Sequence, residues 1–353
     1  MKQSFFTNKQ VTIMVCVAFI TLAIMTIVID SDDNNDTDSK RKTENTEVEK
    51  PQSKVEAIRQ QLKAEDKDTV VVNKPMEGDP YQELDDLIGL GAVKNEVRSL
   101  ANFFKLQQQR KAKGLKTPKL SYHLVFTGSP GTGKTTVARI VARIYKDLGI
   151  LKKGHTVETD RSGLVARYMG QTALKTNALV DSAINGVLFI DEAYALVPED
   201  GNGQDYGQEA ISTLLKRMED DRDRLVVIIA GYPKEMKRFI NSNPGLQSRF
   251  SRYINFPDYT SDELTDIFKM YLKKNQYTLT PQAEDVLRQQ LDYAVSHKDR
   301  NFGNARFVRN IFEAAIQNQA NRLSGQSGLS DSELTDITEA DLKQAFAHSG
   351  KKL

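Results

Sequence analysis

The stretch Leu124-Val125-Phe126-Thr127-Gly128-Ser129-Pro130-Gly131-Thr132-Gly133-Lys134-Thr135-Thr136 constrains the chain more than any other. A short apolar run breaks into a glycine-rich loop, and Val137-Ala138-Arg139-Ile140-Val141-Ala142 then opens a helical pattern. Gly128 to Thr135 fits G-x-x-x-x-G-K-[ST], the phosphate-binding loop, in the strand–loop–helix setting that this motif requires. Gly128, Gly131 and Gly133 let backbone N–H groups close around phosphate oxygens, and the helix N-terminus adds partial positive charge. Ser129, Pro130, Thr132 and Thr136 complete the cradle. Lys134 is placed to reach the β- and γ-phosphates of ATP, and Thr135 to offer its hydroxyl to Mg²⁺. A mere Gly/Pro turn between strand and helix would call for neither the lysine nor the hydroxyl.

Downstream apolar runs have the length of strands. Val157 to Asp160 is a short one. Gly186-Val187-Leu188-Phe189-Ile190-Asp191-Glu192 reads as a buried parallel strand whose C-terminal end carries two carboxylates. Ligands of such sheets bind beyond the carboxyl ends of the strands. Asp191 is therefore placed to hold Mg²⁺, and Glu192 to orient or activate the attacking water. Leu225 to Ala230 and Tyr253 to Phe256 are two further strands. Strands alternating with helices predict a right-handed parallel α/β sheet with helices on both faces. Ahead of the phosphate loop, Leu84, Leu87, Ile88, Leu90, Val93, Val97, Leu100 and Phe104 keep a helix-like spacing. Core packing explains them as well as a ligand pocket does.

Between the last two strands, Arg249 and Arg252 stand shortly before Tyr253. Arginines there are usually solvated, but they are also what a γ-phosphate on a neighbouring subunit needs. After Pro257-Asp258-Tyr259 the pattern turns helical and carries no strand signal. Leu264, Ile267, Phe268, Tyr271 and Leu272 form one stripe, and Ala283, Val286, Leu287 and Leu291 a second. Phe307, Val308, Ile311, Phe312, Ala315 and Ile316 form a third, and Ile337 to Leu342 opens a last helix. Arg306 opens the third helix, where an acid would suit the helix dipole better. That misplacement points to a ligand role.

The 353 residues carry a net charge of +2, which gives no argument for a polyanionic partner. A single cysteine, Cys16, excludes an intrachain disulfide framework, and four scattered histidines form no zinc motif. Val11 to Ile29 lacks any charged residue. At about 1.5 Å per residue it is just long enough to span a bilayer core. A cleaved signal would end at small residues, whereas this run ends Ile27-Val28-Ile29-Asp30. A buried core helix is the remaining alternative. The expectation is a single-pass anchor within residues 1–30. Lys2 and Lys9 before the span nearly balance Lys40, Arg41 and Lys42 after it, so charge leaves orientation open. The nucleotide loop implies that the C-terminal bulk faces the cytosol, where ATP is. Residues 31–80 are polar and read as a flexible tether, with Ser53 to Leu62 a candidate short helix inside it.

Phosphate loop, Ile-Asp-Glu strand end, late arginine pair and Gly-x-Ala-Arg helix start together resemble an AAA+ ATPase. More narrowly, Gly128 to Thr136, Tyr168 to Ala173, Phe189 to Tyr194, Ala230 to Pro233 and Asn243 to Phe250 resemble the CbxX/CfqX family, which includes the stage V sporulation protein K type. The likeness covers about residues 82–346 and excludes the apolar N-terminal span and the tether. It implies a parallel-sheet α/β nucleotide-binding domain over residues 81–258 and an all-α lid over 259–353. It further implies Mg²⁺-dependent ATP hydrolysis in a homo-oligomeric ring, a hexamer by family habit, that remodels a protein partner. By position, Ile88 and Gly89 would sit at the adenine. Tyr168, Met169 and Gly170 would form a pore loop that grips polypeptide. Arg249, with Arg252 as the close alternative, would be an arginine finger acting in trans. Arg306 would contact the γ-phosphate of its own subunit. Gly231-Tyr232 departs from the broader AAA+ pattern, which has a polar sensor residue after the fourth strand, so that role stays unassigned.

Some members of the family activate red-type Rubisco, but no residue here selects that target and a membrane anchor suits it poorly. A membrane-tethered scaffold using nucleotide as an assembly switch is the second reading; the retained Asp191 and Glu192 weigh against it. A protease would need a metal motif that the chain lacks. No basic recognition element predicts a nucleic-acid partner.

Overall fold

The computed structural model describes residues 69–118, 120–168, 170–197 and 206–348. Val11–Ile29 and the Ser53–Leu62 helix fall outside them, as does Met169. Among the described residues, no helix is long and apolar enough to cross a membrane.

Six strands form one sheet: β1 (Val71–Asn73), β2 (Leu124–Gly128), β3 (Thr156–Thr159), β4 (Val187–Ile190), β5 (Val226–Gly231) and β6 (Tyr253–Phe256), in the order β1-β3-β4-β5-β2-β6. The five strands read from sequence are parallel. The addition is β1, antiparallel to β3 with Val72 opposite Val157. It lies inside the 31–80 segment read as a tether, so the folded part starts earlier than apolar periodicity indicates. Three residues at a sheet edge, two of them largely exposed, are too short and too wet to announce a strand.

Alternate residues of the central strands enter different cores. Leu124, Phe126, Val187, Phe189, Val226 and Ile228 pack on one face, and Val125, Leu188, Ile190, Val227 and Ile229 on the other. Because both faces are covered, these strands read as unbroken apolar runs.

The helices follow in chain order. Leu87 to Leu90 separates α1 (Pro80–Asp86) from α2 (Gly91–Ala112), with Gly89 and Leu90 both at positive φ, so the single apolar stripe read there is two helices and a turn. The phosphate-loop helix α3 (Lys134–Asp147) buries Val137, Ala138, Ile140, Val141, Ile144 and Tyr145. On the opposite face lie α4 (Arg161–Leu164), α5 (Thr172–Ala183), α6 (Gly207–Asp220), α7 (Pro233–Asn241) and α8 (Pro244–Arg249).

The lid consists of α9 (Ser261–Asn275), α10 (Pro281–Ser296), α11 (Ala305–Leu323), α12 (Asp331–Thr335) and α13 (Glu339–His348). A capping box between Thr260 and Glu263 starts α9. Within this helical domain a two-residue parallel ladder, β7 (Thr278–Leu279) with β8 (Asp336–Ile337), ties two connections together. Such short strands carry no periodicity signal, and Ile337 consequently belongs to β8 rather than to the last helix. The first core runs unbroken from the sheet through Phe256 and Tyr259 to Leu264 and Phe268, so lid and sheet share apolar packing.

Candidate functional site

The C-terminal ends of β2, β4 and β5 open onto one cleft of about 270 Å³. Gly128, Pro130, Gly131, Gly133, Lys134, Thr135 and Thr136 line one side, Asp191 and Glu192 the second, Gly231 and Tyr232 the third, and Ala305 and Arg306 of the lid the fourth. Four segments far apart in sequence are thus brought together, as an open parallel sheet does at its carboxyl edge.

The loop's glycines are there for their backbone. Gly128, Gly131 and Gly133 have φ of 154°, 73° and 91°, which side chains rarely tolerate. A Cβ on Gly131 would overlap Gly303 O, and one on Gly128 would overlap Phe256 O. The bare backbone lies against the lid on one side and the cleft on the other. Thr132 is fully buried and donates to Ser129 O at 2.8 Å; neither residue lines the cleft. Lys134 Nζ donates to Gly128 O at 2.9 Å and Ser129 O at 2.7 Å. Burial lowers the ammonium's pKa, Asp191 opposes that shift, and Arg306 adds to it.

Asp191 follows β4, its N–H donating to Thr159 O at 2.8 Å, and its carboxylate accepts from Glu192 N at 3.1 Å. Glu192 is exposed and adopts the left-handed region, φ 48° and ψ 41°, at the start of a 3₁₀ turn (Ala193–Leu196). A non-glycine residue held there is a form of strain that clusters at functional sites.

Sequence reasoning left the residues around Tyr232 unassigned. Tyr194 and Tyr232 face each other with ring centroids 6.4 Å apart. Burial, reinforced by Glu192, pushes the Tyr194 phenol up to about 12 and raises Tyr232 as well. The Arg300 guanidinium lies 5.1 Å over the Tyr232 ring and pairs with Glu235, tying the lid to the edge of β5. Asp258 is the second missed residue. Burial pushes its pKa up, but hydrogen bonds from Lys298, Ser129 and Asn304 outweigh that and hold it below the usual carboxylate range. Only their three-dimensional meeting identifies these groups.

Ile88 and Gly89 stand off the phosphate cleft. Ile88 packs partly buried on the first core, and a Cβ on Gly89 would overlap the Glu263 carboxylate of the lid. Leu90 and Tyr259 border the loop at Gly133, 3.4 Å and 3.5 Å from where a Cβ would lie.

The two arginines ahead of β6 part company. Arg249 Nη2 reaches Glu219 at 3.3 Å, and Nη1 reaches Gly245 O and Ser248 Oγ at 3.4 Å each. Arg252 lies 4.8 Å over the Phe103 ring and 5.4 Å over Phe104. Neither lines the cleft of its own chain. Tyr168 is 67% exposed on the connection between α4 and α5, and Gly170 beside it takes φ 77° in open space.

The chain's relatives agree with this geometry. The family model of the ATPases associated with various cellular activities (AAA) matches residues 124–258, and an AAA lid domain matches 260–352. A CfxQ homolog of Cyanidium caldarium is 46% identical over 267 residues, 74% of this chain and 92% of that protein. The chain is an AAA+ ATPase of the CbxX/CfqX type.

Stage V sporulation protein K of Bacillus subtilis is 41% identical over 76% of this ATPase and 83% of its own length. The ESX-3 secretion system protein EccA3 of Mycobacterium leprae is 43% identical, but this chain spans only 44% of it. The solved AAA domain of FIGL-1 shares the fold, with a TM-score of 0.57 at 17% identity over 84% of this chain and 90% of that one.

The donor set fits a nucleotide with Mg²⁺. Among the described residues, no group of three or more His, Cys, Asp or Glu could hold a metal alone. Mg²⁺ ordinarily takes one or two protein ligands and completes its shell with phosphates and water. Thr135 and Asp191 both line this cleft and would supply that partial set.

Proposed function

We propose that this ATPase works as a ring of identical subunits, a hexamer, that spends ATP on remodelling a protein partner close to a membrane. The observation that carries the reading is the division of arginines. Arg306 lines the cleft of its own chain, while Arg249 lies outside it on α8. A second subunit placed against this one would bring its Arg249 to the γ-phosphate. Arg252 is engaged in a stack on Phe103 and Phe104, which favours Arg249 as the finger.

In the cleft, Lys134 and the loop's N–H groups bind the phosphates, and Glu192 holds the attacking water. Mg²⁺, held by Thr135 and Asp191, would neutralise phosphate charge. Ile88 and Gly89, with Leu90 and Tyr259, flank the adenine. Tyr168, Met169 and Gly170 form the loop that grips polypeptide; an exposed aromatic beside a left-handed glycine supports that assignment. Val11–Ile29 anchors the ring, with the ATPase domain on the cytosolic side.

Glu192→Gln should bind ATP and lose turnover. In the full chain, Tyr168→Ala should hydrolyse ATP normally but lose stimulation by casein, an unstructured polypeptide. Stimulation that survives Tyr168→Ala would remove the pore-loop assignment and favour a nucleotide-switched scaffold.

A further inference from the structure

The segment leading into Arg306 is held by one amide. Asn304 is fully buried, and each polar atom of its side chain is used. Its carbonyl accepts from Tyr259 N at 3.0 Å. Its amide nitrogen lies 3.0 Å from Asp258 Oδ1, 3.1 Å from Phe302 O and 3.3 Å from Pro130 O. Three acceptors share two hydrogens. They belong to three parts of the molecule: Asp258 to the joint between domains, Phe302 to the lid, and Pro130 to the phosphate loop.

The backbone makes the choice of residue informative. Asn304 has φ 48° and ψ −125°, outside the regions that residues with side chains ordinarily occupy. Glycine would take that conformation freely. A local rule is broken, and the compensating gain is the amide.

The loop is connected to it through peptide planes. In a trans peptide the carbonyl and the following N–H point in opposite directions. The unit that aims Pro130 O at Asn304 therefore aims Gly131 N–H away from it, and Gly131 lines the cleft. The next unit repeats the pattern, with Gly131 O accepting from Ala305 N at 3.2 Å. A rotation of either plane on phosphate binding reaches the lid at the residues just before Arg306.

We propose that Asn304 is a positioning residue for hydrolysis. It couples the peptide planes of the phosphate loop to the lid and thereby sets where Arg306 stands relative to the γ-phosphate. The inference rests on Arg306 reading that phosphate, and the test separates the two ideas.

Affinities for ATP and ADP are measured on the full chain in the Glu192→Gln background, so that ATP persists. Asn304→Gly, which relieves the backbone and deletes the amide, should weaken ATP binding about tenfold, the size of the charged hydrogen bond that a displaced Arg306 would no longer make to the γ-phosphate. ADP affinity should stay within about twofold, because Arg306 meets only the third phosphate. Arg306→Ala should show the same ATP-selective loss, and the double variant should lose no more than either single one. Equal losses for ATP and ADP would mark Asn304 as merely structural and overturn the proposal. Additive losses would sink the coupling while sparing Arg306, whereas a silent Arg306→Ala would sink both. Should Asn304→Gly not melt cooperatively, Asn304→Asp is read in its place. It keeps the shape but sets a carboxylate against Asp258 and Pro130 O, and should show the same ATP-selective loss.

Discussion

The ammonium of Lys134 donates to the carbonyl of Gly128, 2.9 Å away at the other end of the same loop. Burial already lowers its pKa, so the site holds a desolvated cation whose hydrogen bonds, among the described residues, go to backbone carbonyls, with Asp191 as its main carboxylate support. Lys134→Met should remove that burden and leave melting unchanged or slightly raised. ATP affinity should fall roughly 10- to 100-fold, since a hydrogen bond to a charged group contributes about 1.5–3 kcal/mol. Thermal melts over a range of ATP concentrations check both halves: an ATP-induced rise in Lys134→Met as large as the wild type's at every concentration would contradict the assignment.

Gly131 tests the contact between loop and lid. Its φ of 73° makes any side chain costly by about 1–2 kcal/mol, and a Cβ would also overlap Gly303 O. Gly131→Ala should therefore lower both the melting temperature and the rate of ATP hydrolysis. Gly91→Ala is the contrast. Gly91 opens α2 at ordinary φ with nothing within 4 Å, so alanine should be neutral or stabilise by up to about 1 kcal/mol. Equal behaviour of the two variants in melting would refute the steric account.

Much of this architecture was legible because parallel strands buried on both faces are unbroken apolar runs, as in Val187 to Ile190 and Val226 to Ala230. The phosphate loop and the Asp191-Glu192 pair were legible because each spells its chemistry within a few residues. What escaped is built from single residues that meet across the fold. Asn304 and Asp258 are ordinary polar residues until Pro130, Tyr259 and Phe302 surround the first, and Ser129 and Lys298 the second. Tyr232 gains a partner only when the lid brings Arg300 over its ring. β1 and the β7–β8 ladder escaped for another reason. Runs of two or three residues do not establish a period, and their stability comes from the neighbour they pair with.

His123 gives the protein an acid limit. It is buried at the start of β2, where its Nδ1 accepts from Val227 N at 3.0 Å, with Arg249 nearby. Burial, reinforced by Arg249, lowers its pKa from 6.5 to about 4. Below pH 6.5 the unfolded chain takes up a proton that the folded chain refuses. Stability from this residue is thus complete above that pH and is lost as pH falls towards 4. Between pH 7 and pH 5 the loss should be about 2 kcal/mol. Urea denaturation of the wild type and His123→Gln at the two pH values isolates it; an equal pH dependence in both would remove His123 as the cause.

Assembly of the site across subunits gives the last test. Arg249 lines no part of its own cleft, and α8 holds it by a cap from Asn243 and by Glu219. If the finger acts in trans, Arg249→Ala and Glu192→Gln chains are each inactive alone but complement each other when mixed. An interface is complete wherever an Arg249→Ala subunit, with its intact Glu192, receives the arginine of a Glu192→Gln neighbour. In randomly mixed rings that is about a quarter of all interfaces, because each interface is heterologous and pairs two independently drawn subunits. Turnover should therefore recover to roughly a quarter of the wild-type value per site. If Arg249 served its own cleft, every site would lack either the arginine or the glutamate, and mixing would restore nothing. Arg252→Ala should behave differently: losing its stack on Phe103 and Phe104 should cost about 0.5–2 kcal/mol of stability while hydrolysis persists. Complementation by Arg252→Ala instead of Arg249→Ala would exchange the two roles.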